Sequence, residues 1–363
     1  MESLLSSQYN ETEPLYISST AQTTVSVVIP CYNEEGFIAK ALESLADQYE
    51  YESYEIIVVD GMSGDQTRKE IAEFAEEHKR LVIRIVDNPA RNIPSALNLG
   101  VQNARGEVIA RMDAHAVPPK GYIRRCVEVL NETGVGVVGM PCYIKPSQNT
   151  LMAEAIANAV SHSFGIGDAK YRLSESQLPS ESVDTVAFSC FRKSLWQELG
   201  GFNESLLTNE DYDFNYRVRK HGWQVILDRS GQCEYFARPT LDQLSQQYRR
   251  YGYWKAQMLK LHPASIKLRH MVAPVFVASI LLLTLLGVFI RLAWLALALE
   301  LLLYFLLAVY FGFKIARKSG RGPGLTLLMP VVFFTIHSSW GSSFLIGMLR
   351  RSSRVAGFQA TVG

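Results

Sequence analysis

Between residues 25 and 115 the chain repeats one pattern, and that repeat limits the fold more than any other feature. VSVVIP, YEIIVVD, LVIRIVD and EVIARM are continuous apolar runs, the length of buried strands. Between successive runs lie polar turns and stretches with helical spacing: Phe37, Ile38, Ala41, Leu42 and Leu45, then a charged segment from Thr67 to about His78, then IPSALNLGVQNAR. A strand that alternates with a helix four times predicts an α/β fold with a mainly parallel sheet and right-handed crossovers. The carboxyl rim of such a sheet collects residues 30–34, 60–65, 88–91 and 113–115, and open α/β sheets bind their ligands at that rim. Two of these loops end in acids, so the rim is poorly suited to a bare phosphate. It suits a base and a sugar, with a metal between carboxylates and phosphates.

The fourth run leads into Asp113, Ala114 and His115 before Pro118 and Pro119 break the chain. A carboxylate and an imidazole two residues apart at a strand end can turn toward one divalent cation. The alternative is a loop aspartate that caps the next helix and a histidine that meets only solvent. No GxGxxG follows the first strand and no GxxxxGK[ST] occurs in the chain, which argues against a dinucleotide site and a P-loop.

These residues carry a family resemblance. VVIPCYNEE, IIVVDGMSGDQT, the Ala96, Asn98 and Gly100 of SALNLG, MDAH, GGFNESLLTNEDYDFNYRVRKHG and QQYRRYGYW resemble family 2 glycosyltransferases of the GT-A fold. The pattern is most similar to the succinoglycan biosynthesis glucosyltransferase subgroup, over about residues 25–260. The resemblance implies that Pro30, Tyr32 and Glu34 surround the uridine of a UDP-sugar, and that Asp60 accepts a hydrogen bond from the uracil ring. A tyrosine can cover a base face, and an aspartate accepts from the ring N–H that separates uracil from cytosine. The alternative for Asp60 is a turn residue at the Gly61 corner. Arg91, Asn98 and Gln247 are further donor-binding residues by the same resemblance, with a surface salt bridge as the alternative for Arg91. Asp113 and His115 stand where the family carries a DxD metal motif, so a divalent cation is expected. The histidine lowers the negative charge and adds a nitrogen ligand, which favours Mn2+ over Mg2+.

Glu210 and Asp211 begin a helix, where acids are good first-turn residues in any case. The family's ED motif adds a catalytic base and assigns it to Asp211, with Asp213 as the rival. Residues 147–182 are weakly patterned and are expected to cover the acceptor side, with a helix at about 151–160 over the cleft. In residues 240–262 apolar and aromatic side chains alternate with Arg and Lys, as in a helix at a membrane surface. Gln247, Arg250 and Tyr251 resemble a QxxRW motif with Tyr in place of Trp, which implies that Arg250 clamps the leaving diphosphate. Attraction of a basic helix to anionic lipid is the alternative there, for Arg249 and Lys255 above all.

Hydrophobic residues crowd into the last quarter. Residues 272–290 and 292–313 are each long enough to cross a bilayer and read as a hairpin; 325–349 is a probable third segment that crosses or re-enters. Lys314, Arg317, Lys318 and Arg321 follow the hairpin, so the positive-inside rule sets that loop and the catalytic domain on the cytoplasmic side. The expected organisation is a loose tail (1–24), a GT-A domain (25–239), an interface helix and linker (240–270), membrane segments (271–349) and a basic tail (350–363). With 36 Lys and Arg against 35 Asp and Glu, no global field recommends nucleic acid. The five cysteines are dispersed without a CxxC pair, which fits a reducing compartment better than a disulfide framework.

The chain is thus expected to be an inverting, metal-dependent transferase that moves a sugar, with glucose the expected one, from a UDP-sugar to a polyprenyl-linked acceptor at the membrane. The alternatives are a polyprenyl-phosphate sugar transferase, a processive polysaccharide synthase, and a nucleotide-sugar binding protein without turnover.

Overall fold

The computed structural model describes residues 25–50, 53–173 and 178–350. The tail expected at 1–24 and nearly all of the basic tail at 350–363 lie outside these residues. The predicted alternation appears as β1 (Val25–Cys31), α1 (Ile38–Leu45), β2 (Tyr54–Asp60), α2 (Thr67–Glu77), β3 (Val82–Asp87), α3 (Ile93–Asn103) and β4 (Val108–Arg111). It continues through β5 (Ala116–Val117), α4 (Tyr122–Thr133), β6 (Val137–Gly139), β7 (Cys142–Pro146), α5 (Leu151–Ala159), α6 (Ser163–Ile166), β8 (Ser180–Ser182), β9 (Cys190–Arg192), α7 (Lys193–Glu198) and α8 (Glu210–Lys220). The domain closes with β10 (Val225–Asp228) and β11 (Cys233–Ala237).

The main sheet has the order β3-β2-β1-β4-β9-β6-β10-β8. The first four strands are parallel, β10 is parallel to β6, and β9 and β8 run antiparallel to their neighbours. Every residue of β2 is buried, as a central strand with helices on both faces requires. Cys31, Asp60 and Asp87 lie in register at the carboxyl ends of β1, β2 and β3, so the loops after them open on one rim. Gly100 fixes how closely α3 lies on β1, because a Cβ there would overlap the Val28 side chain. A second sheet, β5-β11-β7, walls the rim beside β4.

Beyond the sheets, α9 (Leu241–Leu261) leads to three long apolar helices, α10 (Leu268–Gly287), α11 (Arg291–Lys318) and α12 (Pro323–Leu349), each long enough to cross a membrane. The start of α10 is tied to the catalytic domain by Arg269, which pairs with Asp168 and Asp184. The end of α11 returns to it: Ile315 and Ala316 are buried there, and Arg321 just beyond pairs with Glu154 of α5 at 2.8 Å. The hairpin tip, with Phe289 80% exposed, points away from the domain.

Helix α12 behaves differently. Of its most apolar stretch 44% is buried in the protein, against 22% for α10 and 17% for α11. It lies along α9: Ser245 bonds Ser339 at 2.9 Å, Gln257 bonds the Gly347 carbonyl at 2.8 Å, and a Cβ at Gly252 would overlap the Trp340 carbonyl. Leu244 and Tyr248 of α9 are buried in one core with α12, and Met258 in another with Leu206 and Tyr212, while Leu261 at the end of α9 is exposed. Helix α5 packs against β7 and α12 and does not lie over the cleft; the segment after it, from Ser163 to Arg172, takes that position.

Candidate active site

The sheet rim opens into a cavity of about 870 Å³ that runs to the apolar helices. Three loops build its nucleotide-sized end. After β1 the chain turns through Asn33, whose backbone N–H donates to Ser63 Oγ at 2.9 Å while its side chain accepts from the Gly64 N–H at 3.0 Å, locking the first two loops together. Asn33, Met62 and Arg91, one in each loop, hold φ between 52° and 62°, and of the left-handed residues Arg91, Phe188 (φ 50°) and Asn209 (φ 69°) line the cavity itself. Left-handed backbone at non-glycine residues costs free energy and persists where the surroundings fix it, so its concentration around one cavity marks a built site.

Pro30, Tyr32, Glu34 and Arg91 line this end, and Tyr32 is half exposed, leaving a ring face free for stacking. Asp60 and Asn98 do not line the cavity. Asp60 is fully buried: it accepts from the backbone N–H and hydroxyl of Ser63 and from Arg68 Nε, which at 2.6 Å also makes an ion pair. These bonds hold the Gly61 corner together, and Oδ1 accepts only from Ser63 among the described residues. Asn98 is a brace, donating to the Phe202 carbonyl (2.9 Å) and Glu204 (2.8 Å) and accepting from the Phe202 N–H (2.8 Å). Its place on α3 aims it at the 201–204 loop instead of the rim.

At the end of β4, Asp113 and His115 both open to the cavity, each side chain about a quarter exposed. His115 Nδ1 bonds Glu34 Oε1 at 3.0 Å. Burial opposes a charge on this imidazole, but the Glu34 hydrogen bond and the charges of Asp113 and Glu34 outweigh it, and the pKa lies above its ordinary value. A carboxylate on one ring nitrogen fixes the ring and directs the other toward a ligand, the arrangement common behind metal-binding histidines.

The sequence reading passed over the centre of the site. Arg111, the last residue of β4, is 8% exposed and reaches Asp113 at 3.0 Å, Glu210 at 3.6 Å and Asp211 at 3.7 Å. An arginine in an otherwise apolar strand must find acids, and that was the available signal. Glu210 is buried; burial first, then the neighbouring Asp211 charge, push its pKa up to about 8 against the pull of Arg111. The side chain of Asp211, about a third exposed, faces the cavity. Its rival Asp213 is fully buried, held by Arg217 and His262 at 2.8 Å each, and does not line the cavity. On α9, Gln247 donates to Tyr251 Oη (3.1 Å) and Tyr235 Oη (3.3 Å), and Arg250 lines the cavity with an exposed side chain. Arg111 Nε and Asn209 Nδ2 are buried donors without a partner among the described residues.

Residues 26–200 match the model of Glycosyl transferase family 2. The succinoglycan biosynthesis protein ExoA of Rhizobium meliloti (strain 1021) is 28% identical over 344 residues, 94% of this chain and all of that protein. A dolichyl N-acetyl-alpha-D-glucosaminyl phosphate 3-beta-D-2,3-diacetamido-2,3-dideoxy-beta-D-glucuronosyltransferase of Methanococcus voltae is 26% identical over 65% of this chain and 74% of its own length. Among solved structures, the mannosyltransferase PcManGT of Pyrobaculum calidifontis, in complex with GDP-Man and Mn2+, superposes with a TM-score of 0.59 at 20% identity, covering 91% of this chain and 88% of that one. Residues 26–200 are a family 2 glycosyltransferase domain on the GT-A fold, and the chain is a glycosyltransferase of glycan biosynthesis.

Proposed function

We propose that this enzyme transfers a sugar, glucose by our reading, from a UDP-sugar to a polyprenyl-linked acceptor at the membrane, with inversion at the anomeric carbon. One observation carries this reading: Arg111 touches an acid on the donor rim, Asp113, and an acid at the start of α8, Asp211. Two carboxylates thus face one cavity from different walls, one suited to the diphosphate end of a donor and one to an acceptor hydroxyl.

The donor set fits a divalent cation that arrives with its nucleotide. Among the described residues no group of three His, Cys, Asp or Glu side chains is assembled to hold an ion alone. Asp113 and His115 supply two ligands, and a diphosphate supplies others. The mixed oxygen and nitrogen donors favour Mn2+ over Mg2+. When bound, the ion neutralises the charge that grows on the UDP leaving group.

The remaining work falls to the chain's own residues. Pro30, Tyr32, Glu34 and Arg91 hold the nucleotide, Glu34 also by orienting His115. The orphaned Asn209 Nδ2 and Arg111 Nε are donors for a ligand's oxygens. Asp211, at the start of α8 and facing the cavity, takes the proton of the attacking hydroxyl. Gln247 and Arg250 reach the diphosphate from α9. Attack opposite the leaving group inverts the configuration.

Orientation follows from the hairpin. Its two ends meet the catalytic domain, and the basic residues in the last turns of α11 and just beyond it (Lys314, Arg317, Lys318, Arg321) favour the cytoplasm for that side. The dolichyl phosphate in the name of the Methanococcus relative and the polysaccharide pathway of the Rhizobium relative support a lipid-linked acceptor. The test is an assay of the purified full chain with a panel of UDP-sugars and polyprenyl-linked acceptors, with and without EDTA. Transfer from one UDP-sugar that stops on chelation is expected; turnover that survives chelation, or only with another nucleotide, contradicts the reading.

A further inference from the structure

Buried cations in this protein have acids beside them: Arg84 has Glu55, Arg217 has Asp213, Arg229 has Glu181, and Arg111 has three carboxylates. Two make no ion pair among the described residues. Arg172, partly buried in the cavity wall, lies over the rings of Tyr171 (5.4 Å) and Tyr235 (6.0 Å), and the tyrosines Tyr171, Tyr251, Tyr248 and Tyr235 surround its charge. Lys255, 3% exposed, places its ammonium 3.0 Å from the Tyr212 ring centroid and 3.6 Å from Met258 Sδ. Burial, then the nearby Arg269, hold its pKa well below the ordinary lysine value, against the charges of Asp184 and Asp211.

Two more donors in the same wall are unpaired. Tyr248 Oη, on a side chain 4% exposed, and Trp340 Nε1 have no hydrogen-bond partner among the described residues. Leaving a buried donor unsatisfied is costly, so two orphaned donors beside two basic groups that make no ion pair among the described residues call for an acceptor with several oxygens and negative charge. The surroundings narrow its chemistry further. Next to these donors the cavity is walled by Phe164 of α6, Phe276 of α10 and Tyr304 of α11, with Phe276 and Tyr304 stacked at 4.6 Å. An anion bound here is covalently continuous with something apolar.

We propose that Arg172, Lys255, Tyr248 Oη and Trp340 Nε1 form the subsite for the phosphate of the lipid-linked acceptor, with the first isoprene units against Phe164, Phe276 and Tyr304. This rests on the lipid-linked acceptor reading above. It separates the two anions of the reaction. The donor diphosphate sits with Asp113 and His115 at the sheet rim. The acceptor phosphate sits between α9 and the turn at Arg172, with the Tyr212 ring under Lys255 linking it to the neighbouring Asp211.

The experiment uses the full chain in detergent, with UDP and Mn2+ saturating so that the donor site is filled, and measures Kd for farnesyl diphosphate and for farnesol by calorimetry. The wild type should prefer farnesyl diphosphate. Arg172→Gln should weaken that affinity roughly 10- to 100-fold, the worth of a charge-assisted hydrogen bond, while farnesol and UDP affinities change less than about twofold. Arg172→Lys, which keeps the charge, should lose less than Arg172→Gln, and that ordering separates loss of contact from loss of fold. If the wild type binds farnesyl diphosphate no better than farnesol, the lipid-linked acceptor reading itself fails. If it discriminates but Arg172→Gln binds farnesyl diphosphate unchanged, the subsite is wrong while that reading stands. An equal loss of UDP affinity would assign these cations to the donor instead.

Discussion

Replacing Glu210 by glutamine isolates the electrostatics at the start of α8. Glu210 is buried between Arg111 and Asp211, and its pKa rises from 4.5 to about 8 on folding. The folded state therefore binds this proton more tightly than the unfolded chain. The stabilising contribution is complete below about pH 4.5 and is lost as pH rises through 8. At about 1.4 kcal/mol per pH unit, raising the pH from about 5 to about 7.5 removes roughly 3 kcal/mol of it. Glutamine keeps the shape and cannot ionise, so Glu210→Gln should lack this slope. Chemical unfolding of both proteins in detergent at the two pH values gives the difference, in which every other titrating group cancels. Glu210→Gln should gain roughly 3 kcal/mol relative to wild type between the acidic and the alkaline measurement. Parallel pH profiles would refute the argument that Glu210 is protonated in the folded enzyme.

Asp113→Asn should abolish Mn2+-dependent UDP binding while the thermal unfolding midpoint stays close to wild type; unchanged calorimetric affinity would remove Asp113 from the metal site. Gly252→Val forces a side chain into the Trp340 carbonyl, so α12 should detach from α9 and trypsin should cut between them faster than in wild type. Membrane topology is open to cysteine labelling, because the five native cysteines are buried. A probe at Phe289→Cys should label from the outer side and one at Lys318→Cys should not; the reverse pattern would overturn the cytoplasmic assignment.

The sheet was legible because its strands are continuous apolar runs separated by turn chemistry, and such runs have few ways to be buried. The rim loops were legible for the same reason, since strand direction alone brings Tyr32, Glu34, Arg91 and Asp113 to one edge. Hydrogen-bond partners distant in sequence were not legible. Asp60 carries a family motif, yet Arg68 on the next helix takes its carboxylate. Asn98 carries another, yet the 201–204 loop takes its amide. Arg111 and Arg172 mattered through what surrounds them, one through three acids and the other through a ring of tyrosines drawn chiefly from β11 and α9. The third apolar segment shows the limit of composition. Its length suits a bilayer, but the glycines that let α9 approach it set how much of it the protein covers.

The central claim is direct displacement with Asp211 as base, and the most direct test is single-turnover transfer from UDP-glucose by wild type and Asp211→Asn, with the product's anomeric configuration read by NMR. Loss of a general base costs roughly 10²-fold or more, so the variant should turn over at least that much more slowly while its UDP affinity barely changes. The wild-type product should carry the β configuration, inverted from the α-linked donor. Near-normal turnover in Asp211→Asn, or an α-linked product from the wild type, would contradict the mechanism.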